Sequence, residues 1–330
     1  MRLLSLLLVS RSVLAQVPGV PQGGGACSTD YDCSLGGECV ASACVCDAWW
    51  TGSTCALLNL APADPASSGL DAPGYYSWGG HPLQDENGTY HLLASFLCDH
   101  ATLGSWTTKS SIAHATSSAP TGPYSIPPGD DAQLVVPPWS HGAYVVRDPP
   151  TGEYLLIHIG DGLVDKSTWA PCYSSSEDTA AFAAAALAAA PEPRAPGARG
   201  GSGVFVERAP TLAGPWTSFN NNTGVVVNFP SDSWAQSITN PAPFIFENGT
   251  TLLYYRADAC PKGWGLAPAC IGVAIADSWE GPYTSLFTEP ITHPEGEDPA
   301  VFRDVRGNLH MLTVRPLTSP HSSPLPLCHT

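Results

Sequence analysis

The stretch EGEDPAV, residues 295–301, sets Glu297 directly before Asp298 and Pro299. Carboxyl groups are the residue type that general acid–base chemistry needs, because one can hold a proton while a neighbour stays charged. Three other stretches also stand just ahead of an apolar run: WGGHP (78–82), WSHGA (139–143) and TNPAP (239–243). They bring two aromatic faces, Trp78 and Trp139, and the neutral polar groups His81, His141 and Asn240; Arg256 follows in YYRAD. Flat rings beside amide, imidazole and guanidinium donors suit a ligand rich in hydroxyls. Each residue also has an ordinary alternative. A tryptophan at a strand start can be core, and Arg256 can pair with a carboxylate such as Asp258. His114, on a third strand, reads as structural, and His310 as packed or surface. No tight metal-ligand spacing joins the histidines, so neither a metal nor a cofactor is expected.

These stretches must be held by repeated elements. Four hairpins are written in strand, Gly-containing turn, strand order: HPLQDENGTYHLLASF from His81, AYVVRDPPTGEYLLIHI from Ala143, APFIFENGTTLLYYRA from Ala242 and AVFRDVRGNLHMLTV from Ala300. The first three are followed by a third alternating strand and then a nearly constant phrase: SSAPTGPY from Ser117, APTLAGPW from Ala209 and ADSWEGPY from Ala276. Proline fixes φ and cannot donate to a ladder, so it belongs at a turn, and glycine permits the tight approach before it. The aromatic is expected to pack between sheets. A hairpin, a third strand and a turn into a fourth, repeated radially, is the grammar of a β-propeller blade. The expected class is therefore all-β, with four-stranded blades over residues 75–330. The fourth unit lacks its third strand and Gly-Pro turn, so the propeller is read as C-terminally incomplete. An Ala/Pro-rich run between Asp165 and Gly201 reads as an insertion in the second unit.

The remaining organisation follows from composition. The chain carries 32 glycines and 33 prolines in 330 residues, and its formal charge is −16. A nucleic-acid partner is not expected, since phosphate binding needs a basic footprint. Residues 1–15 read as a signal peptide: a basic residue, a short apolar run and a small-residue cleavage site. No stretch is long and apolar enough to span a bilayer. Export fits the 11 cysteines. Asn87, Asn221 and Asn248 stand in glycosylation sequons. Residues 56–74 read as a linker. Six cysteines crowd into residues 27–55, a segment too short to bury a core without staples. Their spacing leaves many connectivities open, and a zinc site is the alternative, against which stand export and the lack of histidine there. Further on, Cys260 and Cys270 flank a loop and read as a disulfide. Cys98 and Cys172 each follow a second strand and are a candidate pair.

Two resemblances add to this. Residues 27–55, with CVC, Trp49 or Trp50, Gly52 and Cys55, resemble an epidermal-growth-factor-like module. That resemblance implies the pairs Cys27–Cys39, Cys33–Cys44 and Cys46–Cys55, and allows an extracellular protein partner. From about residue 75 the chain resembles the five-bladed β-propeller glycosidases of glycoside hydrolase family 43 and its relatives, on the hairpins, SIAHATSSAPTGPY, IGVAIADSWEGPY, NPAPFIF and EDPAVF. It implies a central cavity at the starts of the first strands, a carbohydrate ligand, and Glu297, before Asp298-Pro299, as the general acid, with Glu297 and Asp298 both catalytic. Trp78, His81, Trp139, His141, Asn240 and Arg256 would be substrate contacts. In this alignment His81-Pro82 stands where the first blade's Asp-Pro is expected, so the general base has no counterpart. The function expected is a secreted glycoside hydrolase-like protein acting on a polysaccharide or oligosaccharide. The alternatives are a non-catalytic carbohydrate-binding relative and an adhesion protein acting through the cysteine module.

Overall fold

The computed structural model describes residues 22–60, 64, 66–70, 75–97, 101–126, 134–136, 140–160, 203–230, 233–235, 237–257, 260, 269–291 and 296–314. The expected signal peptide, Trp139, the Cys98–Cys172 pair, Asp258, the Ala/Pro-rich run and the end of the fourth unit lie outside these residues. The described residues divide after Asp64 into two compact units.

The small unit is built on sulfur. Strands β1 (Gly37–Val40) and β2 (Ala43–Cys46) pair antiparallel, as do the two-residue strands β3 (Trp50–Thr51) and β4 (Leu57–Leu58). Cys27–Cys39, Cys33–Cys44 and Cys46–Cys55 are disulfides, so the three sulfurs lying closest together, on Cys27, Cys33 and Cys44, belong to two of them. Such cross-links stabilise a small unit largely by restricting its unfolded chain. Its buried side chains are Cys27, Cys33, Cys44, Cys55, Trp50 and Thr51, while Tyr31, Trp49 and Leu60 are exposed.

Among the described residues the large unit is all-β apart from a four-residue helix, Trp106–Lys109, and short 3-10 turns. Its first sheet holds β5 (Tyr76–Gln84), β6 (Tyr90–Leu97), β7 (Ser110–Ser117) and β8 (Leu134–Val136) in that order. The second holds β9 (Ser140–Arg147), β10 (Tyr154–Gly160), β11 (Gly203–Ala209) and β12 (Thr217–Ser218). The third holds β14 (Ile238–Ile245), β15 (Thr251–Ala257), β16 (Cys270–Ala276) and β17 (Tyr283–Ser285), with β13 (Val227–Asn228) parallel on its outer edge. In the fourth, β18 (Glu297–Arg303) pairs with β19 (Leu309–Val314). The first strands pack in succession, β5 on β9, β9 on β14 and β14 on β18.

Alternation explains why the middle sheets read as continuous apolar runs. In YLLIHI, Leu155 and Ile157 pack towards the third sheet with Leu253 and Tyr255, whereas Leu156 packs towards the first with Leu93 and Ile112. In TLLYYRA, Leu252 and Tyr254 face the other way, into a cluster with Val301 of the fourth sheet. A sheet covered on both faces needs apolar residues at every position. Each fully buried Leu or Ile contributes roughly 1.5–3 kcal/mol.

The three Gly-Pro phrases form one turn three times. Each Gly-Pro bond is cis, and Gly122, Gly214 and Gly281 take φ of 94°, 93° and 79°. Tyr124 and Tyr283 then donate their hydroxyls to the carbonyls of Pro120 and Trp279, at 2.9 and 2.8 Å. In the first and third sheets the entering chain also covers the outer edge. Leu70 bridges Tyr124 in parallel, and β13 does the same to Tyr283. Edge strands are thereby capped. Cys260–Cys270 is a disulfide at the start of β16.

One side chain joins all four sheets. Tyr144, on β9, donates its hydroxyl to the Val301 carbonyl and accepts from the Val301 N–H, both at 3.1 Å. Its ring stacks on His81 of the first sheet at 4.5 Å and packs with Ala242 and Tyr254 of the third. Tyr144→Phe would leave a buried N–H and a buried C=O without their partner, a loss of about 1–3 kcal/mol. Chemical denaturation checks this; an unchanged midpoint would contradict it.

Burial also holds three histidines neutral. His81, His114 and His141 are each pushed down to about 4, in every case first by burial, and for His114 also by His91. Their unfolded value is near 6.5, so the unfolded chain takes up protons that the folded one refuses. Their contribution to stability is complete above that value and is lost as pH falls from about 6.5 towards 4. The urea midpoint should therefore drop between pH 7.5 and 5, with a shallower drop in His81→Gln. A flat profile would show these groups to be accessible.

Candidate functional site

The four first strands share an irregularity that no single stretch reveals. Ladder pairing is interrupted between Trp78 and His81, His141 and Tyr144, Thr239 and Ala242, and Glu297 and Ala300. Each is a bulge in which two residues oppose one. The register therefore equates Trp78, His141, Thr239 and Glu297, and after them Gly79, Gly142, Asn240 and Asp298. These last four all lie in the left-handed region, with φ of 60°, 66°, 49° and 48°. Glycine, asparagine and aspartate are the residues that enter that region most readily. The next positions are Gly80, Ala143, Pro241 and Pro299; proline is tolerated there because a bulge frees it from the ladder.

The bulges meet. Asn240 Nδ2 donates to Asp298 Oδ1. Trp78 of the first sheet hydrogen-bonds the same carboxyl group. Arg256, paired across the ladder with Thr239, places Nη1 3.2 Å from Thr239 Oγ1 and Nε 3.0 Å from Glu297 Oε1. The Glu297 side chain stays 34% exposed and that of Arg256 19%. Gly142 lies against Asn240, a β-carbon built on it standing 3.9 Å from the Asn240 Cα. First, third and fourth sheets thus converge on one carboxyl group, with the second alongside.

The electrostatics single out Asp298. Burial pushes its pKa above the ordinary carboxylate value, and the neighbouring Glu297 charge adds to this. Hydrogen bonds from Asn240 and Trp78, with the Arg256 charge, act the other way, but burial prevails. Such a group can hold a proton at a pH where an exposed aspartate cannot, as proton donation to a leaving oxygen requires.

Of the residues singled out in the sequence, the structure brings together Trp78, Asn240, Arg256, Glu297 and Asp298. His81 is not equivalent to Asp298. The bulge shifts it two places on, level with Tyr144 and Ala300, where it stacks on Tyr144. His141 is buried, its Nδ1 2.7 Å from Ser110 Oγ and its ring 5.3 Å from that of Trp106. Neither shares a hydrogen bond with the Asp298 group among the described residues. His91 Nδ1 lies 2.8 Å from His114 Nε2, and His310 Nε2 lies 2.9 Å from Asp304 Oδ2. Asn87, Asn221 and Asn248 are exposed. Sequence reading missed Thr239, Gly79, Gly142 and Tyr144. The available signal was the aligned tetrads WGGH, HGAY, TNPA and EDPA, each with a left-handed-tolerant residue in second place.

No protein-family model matches the chain, and no curated protein matches it. Solved structures give a distant likeness. An endo-1,4-β-xylanase from Bacteroides thetaiotaomicron VPI-5482 has a TM-score of 0.47 and 15% identity over 76% of this chain and 70% of its own. A thermostable family-43 glycoside hydrolase has a TM-score of 0.45 and 16% identity over 72% and 65%. A family 117 glycoside hydrolase from the marine bacterium Zobellia galactanivorans has a TM-score of 0.43 and 18% identity over 73% and 68%.

Proposed function

We propose that this chain is an exported, glycoside-hydrolase-like protein of the β-propeller type, taking a saccharide where its four first strands begin. The observation that carries this reading is Asp298: an aspartate with a raised pKa, held by Asn240 and Trp78 from two other sheets, beside the Glu297–Arg256 pair. In cleavage, Asp298 gives its proton to the leaving glycosidic oxygen as the bond to the anomeric carbon breaks. Water adds to that carbon and passes its proton to a carboxylate, a role open to the neighbouring Glu297. Disulfides and the leader-like residues 1–15 support export, and the sequons at Asn87, Asn221 and Asn248 would carry glycans. The small unit is read as epidermal-growth-factor-like, with exposed Tyr31, Trp49 and Leu60 available to an extracellular protein partner.

A second reading, saccharide binding without cleavage, is favoured by one observation. The two remaining equivalent positions are Gly79 and Gly142, which offer no carboxylate. Asp298 would then hydrogen-bond a sugar hydroxyl.

Calorimetric binding and product analysis on soluble plant and algal polysaccharides separate the readings. If cleavage occurs, Asp298→Asn and Glu297→Gln should each cut turnover by about 10²-fold or more while binding persists. Turnover should also fall as pH rises through the raised Asp298 pKa, since the acid form is the active one. Binding without product in the wild type supports the second reading. Binding at neither pH 5 nor pH 7 would overturn both.

A further inference from the structure

Glycine is needed at Gly80 but not at Gly79. Gly80 has φ of 110°, and a β-carbon there would stand 2.9 Å from both the Ala94 Cβ and a Leu92 methyl. Gly79 has φ of 60°, a conformation that Asn240 and Asp298 hold in this same chain, and a β-carbon there meets nothing within 4 Å. Gly142 is similar: its nearest neighbours would be Asn240 Cα at 3.9 Å and Ile159 Cγ1 at 4.0 Å, ordinary contact distances. Crowding therefore does not account for these two glycines, and the left-handed backbone that favours glycine there is the one asparagine adopts at 240. Of the four equivalent bulge positions, two are filled by Asn240 bonded to Asp298, and the other two are bare backbone.

We infer that Gly79 and Gly142 form the floor of the ligand subsite and determine its specificity, admitting an uncharged sugar ring against the bare backbone between Trp78 and Asp298. The inference rests on the saccharide-binding reading above. The open space at Gly79 follows directly on Trp78 in the chain, and Trp78 hydrogen-bonds Asp298. The charges present select a neutral ring. Arg256 is engaged by Glu297, and the neighbouring carboxyl groups disfavour sulfate or uronate substituents.

The test uses the full chain and an array of neutral xylo-, arabino-, gluco- and galacto-oligosaccharides, with sulfated and uronate counterparts. Gly79→Asn and Gly142→Asn fill the slot with a residue that the same backbone conformation accepts at position 240. Each should stay folded, with at most a modest fall in melting temperature from the left-handed backbone, and weaken the best neutral ligand about tenfold or more, while anionic counterparts bind the wild type less tightly than neutral ones. Wild-type affinity retained in both variants overturns the inference alone. Failure of both variants to fold also overturns it, because the positions would then not be open. A wild type that binds nothing in the array overturns both the inference and the reading beneath it.

Discussion

Tyr144 is in contact with all four sheets of the large unit. A strand whose inner edge has no strand beside it leaves N–H and C=O groups facing the centre, and in a dry interior these cannot stay unpaired. The Tyr144 phenol answers both groups of Val301 at once, as donor and acceptor. Its ring meanwhile fills the space between His81, Ala242 and Tyr254. The hydroxyl thus ties the second sheet to the fourth, and the ring holds the first and third in place. The positions of the bulges relative to one another, and with them the geometry around Asp298, follow from that tie.

The bulges turn a repeating scaffold into a site. Four equivalent strands with regular pairing would send the residues before and after each irregularity to opposite faces. An extra residue in the left-handed region breaks the alternation, and Asn240 and Asp298 then reach each other across 58 positions of chain. The repeated turns serve the same end from outside. Asp85 accepts from the N–H groups of Asn87 and Thr89, and Asp304 from those of Arg306 and Asn308, closing their hairpins in the same manner. Asp304 shows how firmly: burial pushes its pKa up, but His310, Asn308 and Arg306 together hold it down at about 2.

Much of the fold is legible in the sequence. Hairpins with Gly-containing turns and the Gly-Pro-aromatic phrases mark the sheets, because turn chemistry is local and few residues can supply it. The cysteine pairs within residues 27–55 follow from a resemblance that the disulfides match. Register is harder to read. His81-Pro82 looks like the counterpart of Asp298-Pro299, yet Gly79-Gly80 occupy the bulge that Asp298-Pro299 occupy in the fourth sheet, so His81 stands two residues further on. A bulge leaves no mark on hydrophobic periodicity; only the comparison of four strands exposes it. Arg256 was legible as a charged group in an apolar strand, but its partner was not. Cross-strand pairing with Thr239 aims it at Glu297, and that depends on the packing of one sheet on another.

What sets Asp298 apart is the balance of an unfavourable environment against specific support. Burial and the Glu297 charge work against its ionised form, while Asn240, Arg256 and Trp78 favour it. A saccharide hydroxyl entering the slot would add one more partner to a group that already has three sheets around it. The direct measurement is carbon-13 NMR of the labelled aspartate carboxyl groups, titrated with and without the best-binding neutral oligosaccharide. The account predicts one aspartate, lost in Asp298→Asn, that titrates above the ordinary value of 3.8 and whose carboxyl resonance moves on saturation with the sugar. An Asp298 resonance that titrates at or below that value and ignores a bound sugar would contradict it.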